Sequence, residues 1–196
     1  MNFDCLFPIP VWSVDLDIDN EYLLNYIYEL KDSSPGRIIS NIRGWQSNNH
    51  YEDDFKELSS EVIKYGNKCL DDYGIDSDQM KLKCDNFWAN VNTKGSKNKI
   101  HDHPKSFVSG VYYVRVSEGS GNIVFHSHAN NQFRSFIKFN GIKTTRNTPL
   151  NVNRVEYSPK TGRLILFPSY LFHHVKPNTD DEDRVSISFN TLLSKI

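Results

Sequence analysis

The chain changes its hydrophobic period once, near residue 82, and that switch constrains the fold more than any other feature. Upstream, apolar residues recur with helical spacing: Leu23, Leu24, Ile27 and Leu30 follow a cap at Asp19 or Asn20, and Ser33-Ser34-Pro35-Gly36 stops them. A second helix is predicted from about 53 to 73, with Phe55, Leu58, Val62, Tyr65 and Cys69 on one face and Gly74 as terminator. From Leu82 onward the period falls to two. Strands are predicted near 84–93, 107–116, 122–126, 133–139, 154–157, 163–167, 172–176 and 184–192, separated by turn signals such as Glu118-Gly119-Ser120-Gly121 and Pro159-Lys160-Thr161-Gly162. Short strands without intervening helices favour a double-sheet jelly roll, mainly β, with the N-terminal helices packed on one outer face. The expected organisation is one domain over 1–196, a helical preface to 81 and a β core from 82.

Alternation within two of these strands needs an explanation. On the last, Val185, Ile187 and Phe189 share one face while Arg184, Ser186, Ser188 and Asn190 share the other. Around Trp88 the pattern repeats, with Phe87, Ala89 and Val91 opposite Trp88, Asn90 and Asn92. An outer, solvated surface is the plain reading; two polar-faced strands lining a shared cavity is the functional one.

Composition excludes several classes. There are 23 Lys+Arg against 24 Asp+Glu, so the net charge is -1, which lacks the basic surface that a dedicated nucleic-acid or membrane-surface protein requires. Nucleic acid is therefore not expected as a main partner. No window approaches the roughly 18–20 apolar residues of a membrane span. The start, Met1 to Pro8, lacks signal-peptide character, and Cys5, Cys69 and Cys84 have no paired spacing, so reduced thiols and a cytoplasmic location are expected. The oligomeric state is left open, a homodimer included.

Six of the seven histidines fall in local pairs: His101/His103, His126/His128 and His173/His174. Imidazole is the commonest metal ligand among side chains, and two at i, i+2 on a strand reach the same ion. His101-Asp102-His103-Pro104 precedes the apolar run 107–114, His173 follows Phe167-Pro168-Ser169, and Arg184 opens the polar-faced strand. A 2-His-1-carboxylate triad with open coordination positions suits non-haem Fe(II), and a buried arginine suits a carboxylate. His126 and His128 are read as cleft or surface residues, His174 alternates away from His173, and His50 has no partner in sequence.

These blocks, taken in order, resemble the 2-oxoglutarate and Fe(II)-dependent oxygenases of marine bacteria and phages, within the prolyl-hydroxylase-like superfamily. The resemblance runs through Phe7-Pro8-Ile9-Pro10-Val11-Trp12, Ser40-Asn41, Gly44-Trp45-Gln46-Ser47, Trp88-Ala89-Asn90-Val91-Asn92 and His101-Asp102-His103-Pro104. It continues in Ser109-Gly110-Val111-Tyr112-Tyr113, Phe167-Pro168-Ser169-Tyr170-Leu171-Phe172-His173 and Arg184-Val185-Ser186-Ile187-Ser188-Phe189-Asn190. It implies a double-stranded β-helix, cupin-like in outline, with His101 and His173 as iron ligands and Arg184 and Ser186 holding the distal carboxylate of 2-oxoglutarate, which is consumed with O2. The superfamily usually carries H-x-D, whereas here the residue two after His101 is His103. A three-His site is expected, with Asp102 as the alternative if the turn rotates. Tyr112 or Tyr113 is expected to reach the cosubstrate; Tyr112 is favoured, because Gly110 and Val114 on its face leave room beside the metal. A cupin-like three-His protein without 2-oxoglutarate is the competing reading, and the primary substrate is not legible. The mildly basic segment Lys138 to Arg146 reads as a solvated hairpin.

Overall fold

The computed structural model describes residues 2, 6–127 and 129–196; the expectations for Cys5 and His128 lie outside them. Two antiparallel sheets face each other as a jelly roll. One contains β1 (Trp12–Asp15), β9 (Arg163–Pro168), β6 (Val108–Arg115), β11 (Arg184–Lys195), β4 (Met80–Asn92) and β3 (Trp45–Gln46), in that order. The other runs β2 (Asn41–Ile42), β5 (Lys97–His101), β10 (His173–Val175), β7 (Ile123–His126) and β8 (Arg154–Tyr157).

Helices α1 (Asn20–Ser33) and α2 (Lys56–Asp72) cover the outer face of the six-stranded sheet. The Asp19 carboxylate accepts from the Tyr22 N–H and so caps α1. Leu23, Ile27, Leu58, Val62 and Leu70 pack there against Phe87, Ala89, Val91, Val185, Ile187 and Phe189. A strand presents alternate residues to opposite faces, so this packing turns Trp88, Asn90, Arg184, Ser186 and Ser188 inward, between the sheets. Between the sheets Val111, Tyr113, Ile123, Phe125, Ile165, Phe167 and Leu171 form a second apolar cluster.

Gly110 marks where helix-side packing is tightest. A Cβ there would lie 2.3 Å from Phe189 Cζ and 2.4 Å from the Ile165 carbonyl oxygen. Gly110→Ala is expected to destabilise the fold by about 1–3 kcal/mol through overpacking, read as a lower urea midpoint.

Sequence and structure differ in several elements. The strand expected at 133–139 is part of helix α3 (Ala129–Phe139), whose Asn130 N–H is held by the Ser127 hydroxyl. Its Phe133, Phe136 and Ile137 stand at i, i+3, i+4, the helical spacing, although Phe133, Ile137 and Phe139 also share one parity and aromatic residues favour strands. The hairpin expected over 138–146 is accordingly the end of α3 and a loop. Strands β1, β2, β3 and β5 were not expected; β2, β3 and β1 are short edge or near-edge strands, and β5 reads as a polar turn, Lys97-Asn98-Lys99-Ile100. Among the described residues no helix is long and apolar enough to cross a membrane. Cys69 and Cys84 are buried free thiols, with pKa values pushed up to about 12 by burial.

Candidate active site

Strands β5 and β10 bring the metal-ligand candidates together by direct pairing, with His173 opposite His101. His103 lies in the loop after β5. Its backbone N–H donates to the Ser169 carbonyl at 2.9 Å, and Lys105, at φ 74°, turns the chain back toward β6. The ligand nitrogens of His101, His103 and His173 all lie within 4.8 Å of one another. Asp102 is not part of this cluster.

Two of the three imidazoles are fixed by the main chain. His101 Nδ1 sits 2.7 Å from the Lys99 carbonyl oxygen, and His173 Nδ1 sits 2.9 Å from that of Leu171. A carbonyl oxygen only accepts, so each Nδ1 must carry the proton and each Nε2 must present a lone pair. Backbone carbonyls orient metal-bound histidines in this way. Burial lowers the pKa of all three rings: that of His103 to about 4, with the neighbouring His101 adding to the effect, and that of His173 well below its usual value. The cluster is therefore neutral at pH 7, and a cation binds there without first displacing protons. Walls of Trp88, Phe167 and Phe125 surround it, their ring centroids 5.7 Å from His103 and 4.7 and 6.1 Å from His173, respectively.

From the imidazoles the cavity extends along the inward faces of β4, β6 and β11 to Arg184. This guanidinium is only 2% exposed. Its Nη1 donates to the Ser120 carbonyl at 2.8 Å and to that of Gly121 at 3.2 Å. Gly121, at φ 77° and with the Lys176 carbonyl oxygen 2.4 Å from a Cβ position, allows the turn that brings these carbonyls in. Among the described residues no carboxylate pairs with Arg184. Burial lowers its pKa, yet arginine stays charged in proteins, and two neutral carbonyls do not compensate a buried cation. A small dicarboxylate bridging the histidines and Arg184 fits this charge distribution. Asn92, opposite Arg184 and lining the same cavity, adds a buried amide whose Oδ1 has no donor among the described residues.

The expectation for Tyr112 is corrected. Its side chain faces the helices, and its hydroxyl donates to Asn20 Oδ1 at 2.9 Å. Gly110 lies on that same face, where the missing side chain makes room for the Phe189 ring and not for a metal. Tyr113 lines the cavity instead, its pKa pushed up to about 12 by burial. The carbonyls of Ser120 and Gly121 were also missed, although the turn that carries them was legible. His126 and His174 meet away from the cluster, His126 Nε2 lying 2.8 Å from His174 Nδ1. His50 Nδ1 approaches Asp54 at 3.3 Å and its ring packs on Tyr26 and Phe55.

Residues 86–190, more than half of the chain, match the family model described as "Putative 2OG-Fe(II) oxygenase". The chain belongs to this family of 2-oxoglutarate and Fe(II)-dependent oxygenases. The cofactor and cosubstrates of this family are Fe(II), 2-oxoglutarate and O2, and the His101, His103 and His173 cluster could hold the metal. No curated protein sequence matches the oxygenase. Solved structures share its fold at low identity. A Pseudomonas putida prolyl-4-hydroxylase is 11% identical with a TM-score of 0.63, over 94% of this chain and 92% of that one. A Trichoplax adhaerens prolyl hydroxylase, in complex with a hypoxia inducible factor peptide fragment, is 16% identical with a TM-score of 0.62, covering 93% and 83%. HygX from Streptomyces hygroscopicus, with nickel and 2-oxoglutarate bound, is 12% identical with a TM-score of 0.61, covering 93% and 82%.

Proposed function

We propose that the oxygenase is a dioxygenase that hydroxylates an organic substrate, one atom of O2 entering the product and the other entering succinate as CO2 is released. The buried Arg184, without a carboxylate partner among the described residues and sharing one cavity with three neutral imidazoles, carries this reading. His101, His103 and His173 would hold Fe(II), which supplies the oxidising chemistry when bound. Arg184 would grip the distal carboxylate of 2-oxoglutarate, with Ser186, two residues along the same face of β11, as a second donor. Tyr113 would orient the cosubstrate from β6, and Phe167 and Phe125 would keep water from the reacting atoms. The helical preface, on this reading, belongs to the same domain and holds β4 and β11 in the register that turns Arg184 inward.

The three-His donor set favours a second reading, a cupin-like metal protein that does not use 2-oxoglutarate. One experiment separates them. Purified protein given Fe(II), ascorbate and 2-oxoglutarate without a primary substrate is expected to form succinate slowly, and chelation is expected to stop it. Absence of 2-oxoglutarate binding at millimolar concentration to the metal-loaded protein would favour the cupin-like reading. The paired variants His103→Ala and Asp102→Ala test the ligand set. Metal loss is expected in the first alone, and the opposite result would move the second ligand to Asp102.

A further inference from the structure

Between Glu118 and Glu156 the chain contains no acidic residue and five basic ones, Arg134, Lys138, Lys143, Arg146 and Arg154, although its net charge is -1. This stretch includes the whole connection from β7 to β8. Folding gathers four of the five cations around one cleft of about 880 Å³: Arg134 and Lys138 from α3, Lys143 from the loop that follows, and Arg154 from β8. Among the described residues none of the four pairs with a carboxylate. Concave surfaces lined by charges of one sign focus their field on a ligand, so this cleft attracts anions that the rest of the surface does not.

The cleft also has a path toward the candidate active site. Val152, Asn153 and Arg154 line both the cleft and a neighbouring groove of about 440 Å³, which reaches Phe125 and Leu171. The Phe125 ring in turn lies 6.1 Å from that of His173. An occupant anchored beside Arg154 therefore has an apolar route that ends one ring from the imidazole cluster.

We infer that the cleft on the β7–β8 connection anchors a phosphate-bearing group of the oxygenase's primary substrate. This deepens the dioxygenase reading and rests on it. A phosphate monoester carries about -1.5 to -2 charge and three acceptor oxygens, enough to engage several cations at once, whereas a lone carboxylate is matched by one arginine. A compact concave site suits a terminal or small-molecule phosphate better than the extended track that binds a nucleic-acid strand.

Pyrophosphate is the probe, titrated calorimetrically into the full chain without metal or 2-oxoglutarate at about 0.1 M salt, where the Debye length is about 10 Å. Saturable binding to one site is expected, weakened at least about tenfold in Arg134→Gln/Lys138→Gln. It should persist in Lys81→Gln/Lys83→Gln, which removes the same charge from β4, and in Arg184→Ala. No binding by the wild type, unchanged binding in Arg134→Gln/Lys138→Gln, or an equal loss in either of the other two variants would overturn the proposal. A single-stranded oligonucleotide whose affinity for the cleft grows with its length would overturn it too, in favour of a nucleic-acid surface. Because the measurement needs neither iron nor cosubstrate, its failure leaves the dioxygenase reading standing. Failure of 2-oxoglutarate to bind the metal-loaded protein would instead leave the anion site without a substrate role.

Discussion

His173→Ala is expected to abolish Fe(II) binding, and with it all turnover of 2-oxoglutarate. His173 is 4% exposed, lies opposite His101 across the β5–β10 pair, and has its Nδ1 proton committed to the Leu171 carbonyl. Alanine removes a donor that no other described residue replaces, leaving two imidazoles, one of them on a loop. Anaerobic titration with Fe(II), or with Mn(II) as surrogate, reads the loss directly. His126→Ala is the matched control, because His126 contacts His174 away from the cluster. Equal loss of metal in both variants would show that the binding site lies elsewhere.

Arg184→Ala is expected to weaken 2-oxoglutarate binding by roughly 10- to 150-fold while iron remains. That range follows from about 1.5–3 kcal/mol for a hydrogen bond to a charged partner, at about 1.4 kcal/mol per tenfold change. Lysine should not restore affinity. Arg184 satisfies the Ser120 and Gly121 carbonyls through one nitrogen and has further donors in a fixed planar fork, a geometry that an ammonium does not reproduce. Ser186→Ala should have a smaller effect, since a neutral hydroxyl contributes less than a guanidinium. Titration of the metal-loaded variants with 2-oxoglutarate, followed by its charge-transfer absorption or by calorimetry, orders the three. Unchanged affinity in Arg184→Ala would remove the cosubstrate pocket from β11.

The inward row of β11 was legible because a strand reports its two faces through simple alternation, and the apolar row had somewhere to go. Val185, Ile187 and Phe189 meet the helices, so Arg184 and Ser186 must meet the cavity. The same logic failed at Tyr112 because alternation states which residues share a face but not which face is inside. Gly110 was read as leaving room at a metal, when it leaves room for Phe189. The histidine cluster was legible as residue types and spacing, although His103 reaches it from a loop and not from a regular strand. Helix α3 was obscured by its aromatic residues: Phe133, Phe136 and Ile137 stand at helical spacing, but Phe133, Ile137 and Phe139 also share one strand face.

The proton positions on His101 and His173 are dictated by peptide carbonyls at Lys99 and Leu171, each two residues before the imidazole it holds. A side chain that fixes a tautomer can be deleted by one codon change; a peptide carbonyl cannot. The identities of residues 99 and 171 are thus uncoupled from the protonation pattern of the site, and drift there leaves the two lone pairs aimed as before. What would disturb them is a change of backbone path, such as an insertion or deletion between Lys99 and His101 or between Leu171 and His173. The tautomers are accordingly insensitive to side-chain identity at these two positions, although Leu171 still packs between the sheets, and sensitive to any change in chain length there.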